Sequence, residues 1–144
     1  MDIDGFWAVI DRALVGHEHD EGDDTAHAQT LRRVLNTLSQ NDLEDFKGLF
    51  GQFLHRADRR DIWGAGYTLD GGMSDDSFLY FRMWLVSRGR AVYESVLIDP
   101  DSLADVPGIV PGKYHSAETY AGVADDVYRE RFDRPTGRKR RRPG

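Results

Sequence analysis

Phe78-Leu79-Tyr80-Phe81-Arg82-Met83-Trp84-Leu85-Val86 is the stretch whose reading decides the fold. Eight of its nine residues are apolar or aromatic. A helix that is apolar on every side is surrounded by other helices. The stretch therefore predicts a central helix with the rest of the chain packed around it. Ser74 or Asp75 caps this helix at its start, and Gly89 marks its end.

Arg82 is the exception within the stretch. Its helical neighbours three and four residues away are Phe78, Leu79, Leu85 and Val86, and none of them pairs with a guanidinium. A buried Arg82 needs a partner from elsewhere in the fold, and Asp61, Asp70 and Glu94 are the expected acids. Two readings stand side by side. One is a structural ion pair, or an arginine with a buried stem and a hydrated head. The other is an anchor for a carboxylate or phosphate ligand.

Working outward, apolar residues recur at helical spacing almost everywhere. Phe6, Val9, Ile10, Ala13 and Leu14 predict a helix over 4–14, capped by Asp2 or Asp4. Ala28, Leu31, Leu35 and Leu38 predict a second over 24–38, starting at Asp24. Ser39 begins a third that carries Leu43, Phe46, Phe50, Phe53 and Ala57. Gly48 and Gly51 weaken that helix and imply close approach of a neighbour. A fourth covers 60–70 and stops at Gly71-Gly72; a sixth covers 91–98 and stops at Asp99-Pro100. Residues 101–105 allow one short turn, and Ser116 caps a last helix to about 132. No stretch alternates with period two long enough for a strand, and no repeat is present. The expected fold is an all-α, single-domain bundle of six to seven helices around 78–86, formed by residues 1–132, with a basic disordered tail over 133–144.

The segment leading into the central helix is the least ordinary part of the chain. Trp63, Tyr67 and Asp70 share one helical face, and Gly64 and Gly66 lie mid-helix, where glycine is costly. Something must approach that backbone: Trp84, Phe81 or a ligand. Trp63, Tyr67, Asp70, Ser74, Asp75 and Arg82 are the candidate ligand-binding residues. The reversal at Gly71-Gly72 leads into a helix N-terminus, which attracts anions. Asp75 and Asp76 already occupy its first turn and repel a phosphate. Packing plus a capped turn is the plainer reading.

These motifs carry a resemblance. Phe6-Trp7, Trp63-Gly64-Ala65-Gly66-Tyr67, Gly71-Gly72-Met73-Ser74-Asp75-Asp76-Ser77-Phe78, Tyr80-Phe81-Arg82-Met83-Trp84-Leu85 and Asp99-Pro100-Asp101-Ser102-Leu103 together resemble the bacterial domain of unknown function family 4240, over about residues 2–105. The resemblance implies a bacterial, cytoplasmic, uncharacterised helical domain and supplies no catalytic residues. Relatives commonly carry cysteine where this chain has Met73 and alanine where it has Gly66. A thiol-based role at position 73 is therefore excluded.

Composition narrows the chemistry further. With no cysteine in 144 residues, disulfides, thiolate metal sites and a cysteine nucleophile are excluded. The opening Met1-Asp2-Ile3-Asp4-Gly5 places acids where a secretory signal carries bases, and nothing approaches the ~20 apolar residues of a membrane span. The expected location is cytoplasmic, with no membrane partner. No Walker, dinucleotide or nucleophile-elbow motif appears, and no cofactor is implied. His17, His19 and His27 among Glu18, Asp20, Glu21, Asp23 and Asp24 suggest a metal site at first sight, but a loop without helical ligand spacing is a poor cage. A solvated acidic loop is expected there.

Net charge is −6, unevenly placed. Residues 133–144 hold six bases and one acid, net +5, so the remaining 132 residues carry −11. Arg138, Lys139, Arg140, Arg141 and Arg142 suggest nucleic acid only weakly, because no aromatics are interleaved for base stacking. An acidic body repels phosphate. The leading expectation is a protein-binding or regulatory module. A small-molecule or enzymatic pocket around Trp63, Tyr67, Asp70 and Arg82 is the alternative, and nucleic-acid association through the tail comes third.

Overall fold

The computed structural model describes residues 1–20 and 23–132; the basic segment 133–144, read as a tail, lies outside the described residues. Among the described residues the chain forms seven α-helices, one 3-10 helix and no strand. They are α1 (Ile3–Leu14), α2 (Thr25–Leu35), α3 (Gln40–Arg56), α4 (Arg60–Asp70), α5 (Asp75–Ser87), α6 (Arg90–Ile98), the 3-10 helix (Pro100–Asp105) and α7 (Glu118–Phe132). The all-α single domain expected from periodicity is the observed one.

Local chemistry sets most of the boundaries. Side chains of Asp2, Ser39 and Ser74 accept from the amides of Gly5, Asp42 and Ser77, each satisfying one of the free N–H groups at a helix start. Gly71 adopts the left-handed conformation, φ 78°, and ends α4. Two ends differ from expectation. Helix α2 stops at Leu35 rather than 38, because the Thr37 hydroxyl donates to the Val34 carbonyl (2.7 Å) and Arg131 Nη1 donates to the carbonyls of Leu35 and Leu38 (3.3 and 2.8 Å). These bonds hold the turn that follows. Asp24 precedes α2 but does not cap it. Its carboxylate accepts instead from the amide of Tyr120 (2.8 Å), so it caps α7 from a distance and takes the role expected of Ser116.

Helix α5 packs against α1, α3, α4, α6 and α7, the central position its composition predicts. It is not immersed on all sides: Phe78, Phe81, Trp84, Leu85 and Val86 are buried, while Leu79, Tyr80 and Met83 remain half-buried. The aromatic centre of the core lies beside it, where α1, α3 and α6 meet. Phe6 stacks on Phe53 at 5.1 Å, and Trp7 lies 4.8 Å from Phe53 and 5.1 Å from Tyr93. Ring pairs of this kind add about 0.5–1.5 kcal/mol each beyond burial.

The glycines divide sharply. A methyl group on Gly66 would lie 3.1 Å from Met73 Cε and 3.2 Å from the Phe81 ring. Close packing against Met73 and Phe81 therefore explains Gly66. The close approach expected at Gly48 and Gly51 is absent: both are exposed, and a methyl there would meet nothing within 4 Å. Nothing in the structure explains them. Gly48→Ala and Gly51→Ala are each expected to raise stability by about 0.5–1 kcal/mol in urea denaturation, the intrinsic helix preference. Gly66→Ala is expected to gain nothing or to lose stability, since the buried Phe81 ring must move.

Candidate functional site

The candidate residues are placed as follows. Arg82 Nη1 donates to the Leu54 carbonyl (2.8 Å), and its guanidinium lies 4.7 Å over the Phe78 ring. None of the three expected acids is its partner. Asp61 is held in a two-point pair by Arg59 (3.0 and 2.7 Å), Asp70 bonds His115 (2.7 Å) and Glu94 bonds Arg90 (3.0 Å). Leu54 lies in the last turn of α3, where carbonyls have no helical partner and the dipole is negative. Arg82 is thus the cap of α3. Trp63 stacks on the same Phe78 (5.4 Å) and donates from Nε1 to the Met73 carbonyl (3.2 Å). The fold so brings Trp63 and Arg82 together on one ring. Ser74 is the cap of α5, Asp75 is exposed in its first turn, Tyr67 is 54% exposed and Asp70 is turned toward His115.

The Asp70–His115 pair looks at first like the base half of a catalytic triad. Asp70 Oδ1 accepts from His115 Nδ1 (2.7 Å), and Asp70 Oδ2 accepts from the His115 amide (3.3 Å). The other ring nitrogen, Nε2, accepts from the Val110 amide (3.2 Å). Both ring nitrogens are thus engaged within the fold, and neither is left facing a nucleophile. The pair fastens the connection before α7 onto the end of α4.

A second buried polar cluster was not visible in the sequence. Arg88 is 6% exposed and has no carboxylate within 4.0 Å among the described residues. It donates to the His17 carbonyl (3.2 Å), the Ser87 hydroxyl (3.3 Å) and His27 Nδ1 (3.1 Å), and its guanidinium lies 5.5 Å over Trp84. Arginine only donates, so His27 Nδ1 accepts and the ring proton resides on Nε2. His27 is 1% exposed, stacks on His17 at 5.0 Å and touches Tyr120 at 4.5 Å. Burial first, then the Arg88 charge, pushes its pKa down to about 3. Burial likewise lowers that of Arg88, against the raising influence of Tyr120, Asp20 and Glu18. Of the three histidines weighed as metal ligands, His17 and His27 meet, His17 bonding Asp20 (2.7 Å) and Thr30 (2.9 Å), while His19 is exposed. Among the described residues no three ligand-type side chains converge on a metal position. Two cavities lie against Arg88, of about 20 and 100 Å³, both below the ~300 Å³ of a small-molecule pocket. The signal that could have located this cluster is Arg88 itself, a cation four residues after Trp84 at the end of the most apolar helix.

The one large depression described lies elsewhere. A groove of about 540 Å³ runs between α4 and the 3-10 helix, lined by Gly64, Ala65, Thr68 and Leu69 on one wall and Pro100, Leu103 and Ala104 on the other. Asp61, Asp99 and Asp101 stand along it. At 100° per residue, Gly64, Ala65 and Thr68 point away from the Trp63–Tyr67–Asp70 face. The groove therefore occupies the other side of the helix that carries the candidate residues.

The model of the family described as "Protein of unknown function (DUF4240)" matches residues 1–130, and the chain belongs to that family. No curated protein and no solved structure matches it. No helix among the described residues is long and apolar enough to cross a membrane.

Two predictions follow from these contacts. Arg82→Met is expected to lower stability by about 1–2 kcal/mol through loss of the α3 cap, with Arg82→Lys recovering part of it; thermal denaturation reads this. For His27 the folded-state pKa lies below the ordinary 6.5. Between about pH 6.5 and 3 the unfolded chain takes up a proton that the folded chain refuses, so stability falls with pH by up to about 1.4 kcal/mol per unit. Urea denaturation at pH 7.5 and 5 is expected to show a smaller loss for His27→Gln than for the parent, by about 2 kcal/mol.

Proposed function

We propose that this domain is a protein-binding module that docks a partner through its acidic body. The observation that carries the reading is the groove between α4 and the 3-10 helix, with a largely apolar floor and the carboxylates of Asp61, Asp99 and Asp101 along it. The −11 charge of residues 1–132 supports it, because a field of one sign steers an oppositely charged partner and repels nucleic acid. The engagement of His115 Nε2, the bond from Arg82 to the Leu54 carbonyl and the small size of the cavities beside Arg88 favour a framework role for these groups.

The test is capture of proteins from a cell lysate on immobilised full-length chain at low and high salt, with Asp99→Asn/Asp101→Asn as the comparison. A discrete protein retained at low salt, released at high salt and reduced by the double variant is expected. Absence of any salt-sensitive protein, or retention of nucleic acid alone, overturns the reading.

A further inference from the structure

We infer that the α4 groove receives a basic amphipathic segment of its partner, with an apolar side chain seated over Gly64 and a cationic one on Asp101. The inference rests on the protein-binding reading above and names the partner's chemistry.

The floor makes the first argument. A methyl on Gly64 would meet nothing within 4 Å, so the groove is open down to the helix backbone at that point. Ala65 and Thr68 keep the rest of the wall low, and Leu69 and Leu103 supply apolar surface. A helix interior that carries glycine gives up about 1 kcal/mol relative to alanine. Gly66 has a packing reason for that cost on the side facing Phe81; a methyl on Gly64, like one on Gly48 or Gly51 of α3, meets nothing within 4 Å, and of these three glycines Gly64 alone lines the groove. An apolar side chain of a partner would find there the close backbone approach that glycine permits.

The margin makes the second. Ile98, immediately before Asp99, is 86% exposed. Single exposed apolar residues are ordinary. Ile98, however, is the most exposed of the large hydrophobics among the described residues and directly precedes the groove residue Asp99, whereas Tyr67 lies on the opposite face of α4.

Charge decides the occupant. The lining contains three carboxylates and no base. Asp61 is already neutralised by Arg59. Asp99 uses one oxygen to cap the 3-10 helix at the Asp101 amide (3.2 Å), and the Asp101 carboxylate is exposed. An acidic or phosphorylated segment would meet like charge, whereas an arginine or lysine completes the site. The groove is smaller than a standard interface, so the contact belongs to the weak, reversible class.

Selection of a phage-displayed random 16-residue peptide library on the full-length chain tests this, followed by fluorescence anisotropy with the most enriched peptide. Enriched sequences are expected to combine Arg or Lys with Leu, Ile, Phe or Met at helical spacing. Gly64→Leu, which fills the floor at an exposed helical position, and Asp101→Lys are each expected to weaken binding about tenfold or more. Melting temperature should be maintained, and Glu44→Lys on α3 should leave affinity unchanged. Enrichment of acidic or uncharged peptides, or binding indifferent to Gly64→Leu and Asp101→Lys, overturns the groove assignment. If salt-sensitive protein capture from lysate persists in that case, the module reading stands without it. Failure to enrich any peptide, together with failure of capture, overturns both.

Discussion

A bundle of short helices is governed by its ends. Each helix leaves up to four carbonyls without helical partners, and a buried carbonyl left unpaired costs about as much as a lost hydrogen bond. This chain meets that demand with local turn amides and, at several ends, with side chains from distant elements. Arg82 takes the Leu54 carbonyl and Tyr93 the Phe53 carbonyl at the end of α3. Arg131 takes those of Leu35 and Leu38 after α2, and Arg59 takes that of Leu97 at the end of α6. Arg88 holds the His17 carbonyl in the loop after α1. Every one of these bonds joins two elements, so these helix ends are also tertiary ties. Asp24 does the same for the amide end of α7.

That arrangement shapes the electrostatics. Four arginines (59, 82, 88 and 131) are directed at carbonyl oxygens, and only Arg59 among them also pairs with an acid in the described ion pairs. The acidic groups they would otherwise balance remain toward solvent, which sharpens the negative character of the body. Inside, the same choice creates a constraint at Arg88. A buried guanidinium hydrogen-bonded to neutral acceptors requires those acceptors to stay neutral, and His27 is the one that titrates. Acid sensitivity is thus a consequence of how the loop after α1 is tied to α5.

Much of the fold could be read from local pattern. The caps at Asp2, Ser39 and Ser74, the left-handed stop at Gly71 and the apolar faces of α1, α3 and α5 are short-range chemistry, and short-range chemistry is written in consecutive residues. What escaped reading is long-range. No spacing rule connects Arg82 with Leu54, Asp24 with Tyr120 or Arg88 with His27. A guanidinium seeking an oxygen accepts a carbonyl as readily as a carboxylate, and carbonyls are invisible in sequence because every residue has one. Arg82 accordingly bonds a carbonyl oxygen, that of Leu54, and none of the three acids within its expected reach. Of the two mid-helix glycines of α4, one packs inward on Phe81 and the other opens outward, a distinction that only the neighbouring elements make.

Helix α4 shows how such ties can prepare a surface. It packs against α5 on one side and meets the 3-10 helix on another. At its start Arg59 grips both Asp61 and the Leu97 carbonyl; at its end Asp70 is fixed by His115, and the Leu69 carbonyl accepts from the Gly112 amide at 2.8 Å. Both ends are thus tied to other parts of the fold, while Gly64 in the middle remains uncovered. A groove whose walls are already positioned does not charge its own ordering entropy against binding; that cost falls on the incoming segment alone. The same end-ties that stabilise the bundle therefore hold α4 at both ends and leave its Gly64 flank open, the arrangement that the proposed docking of a partner segment would use.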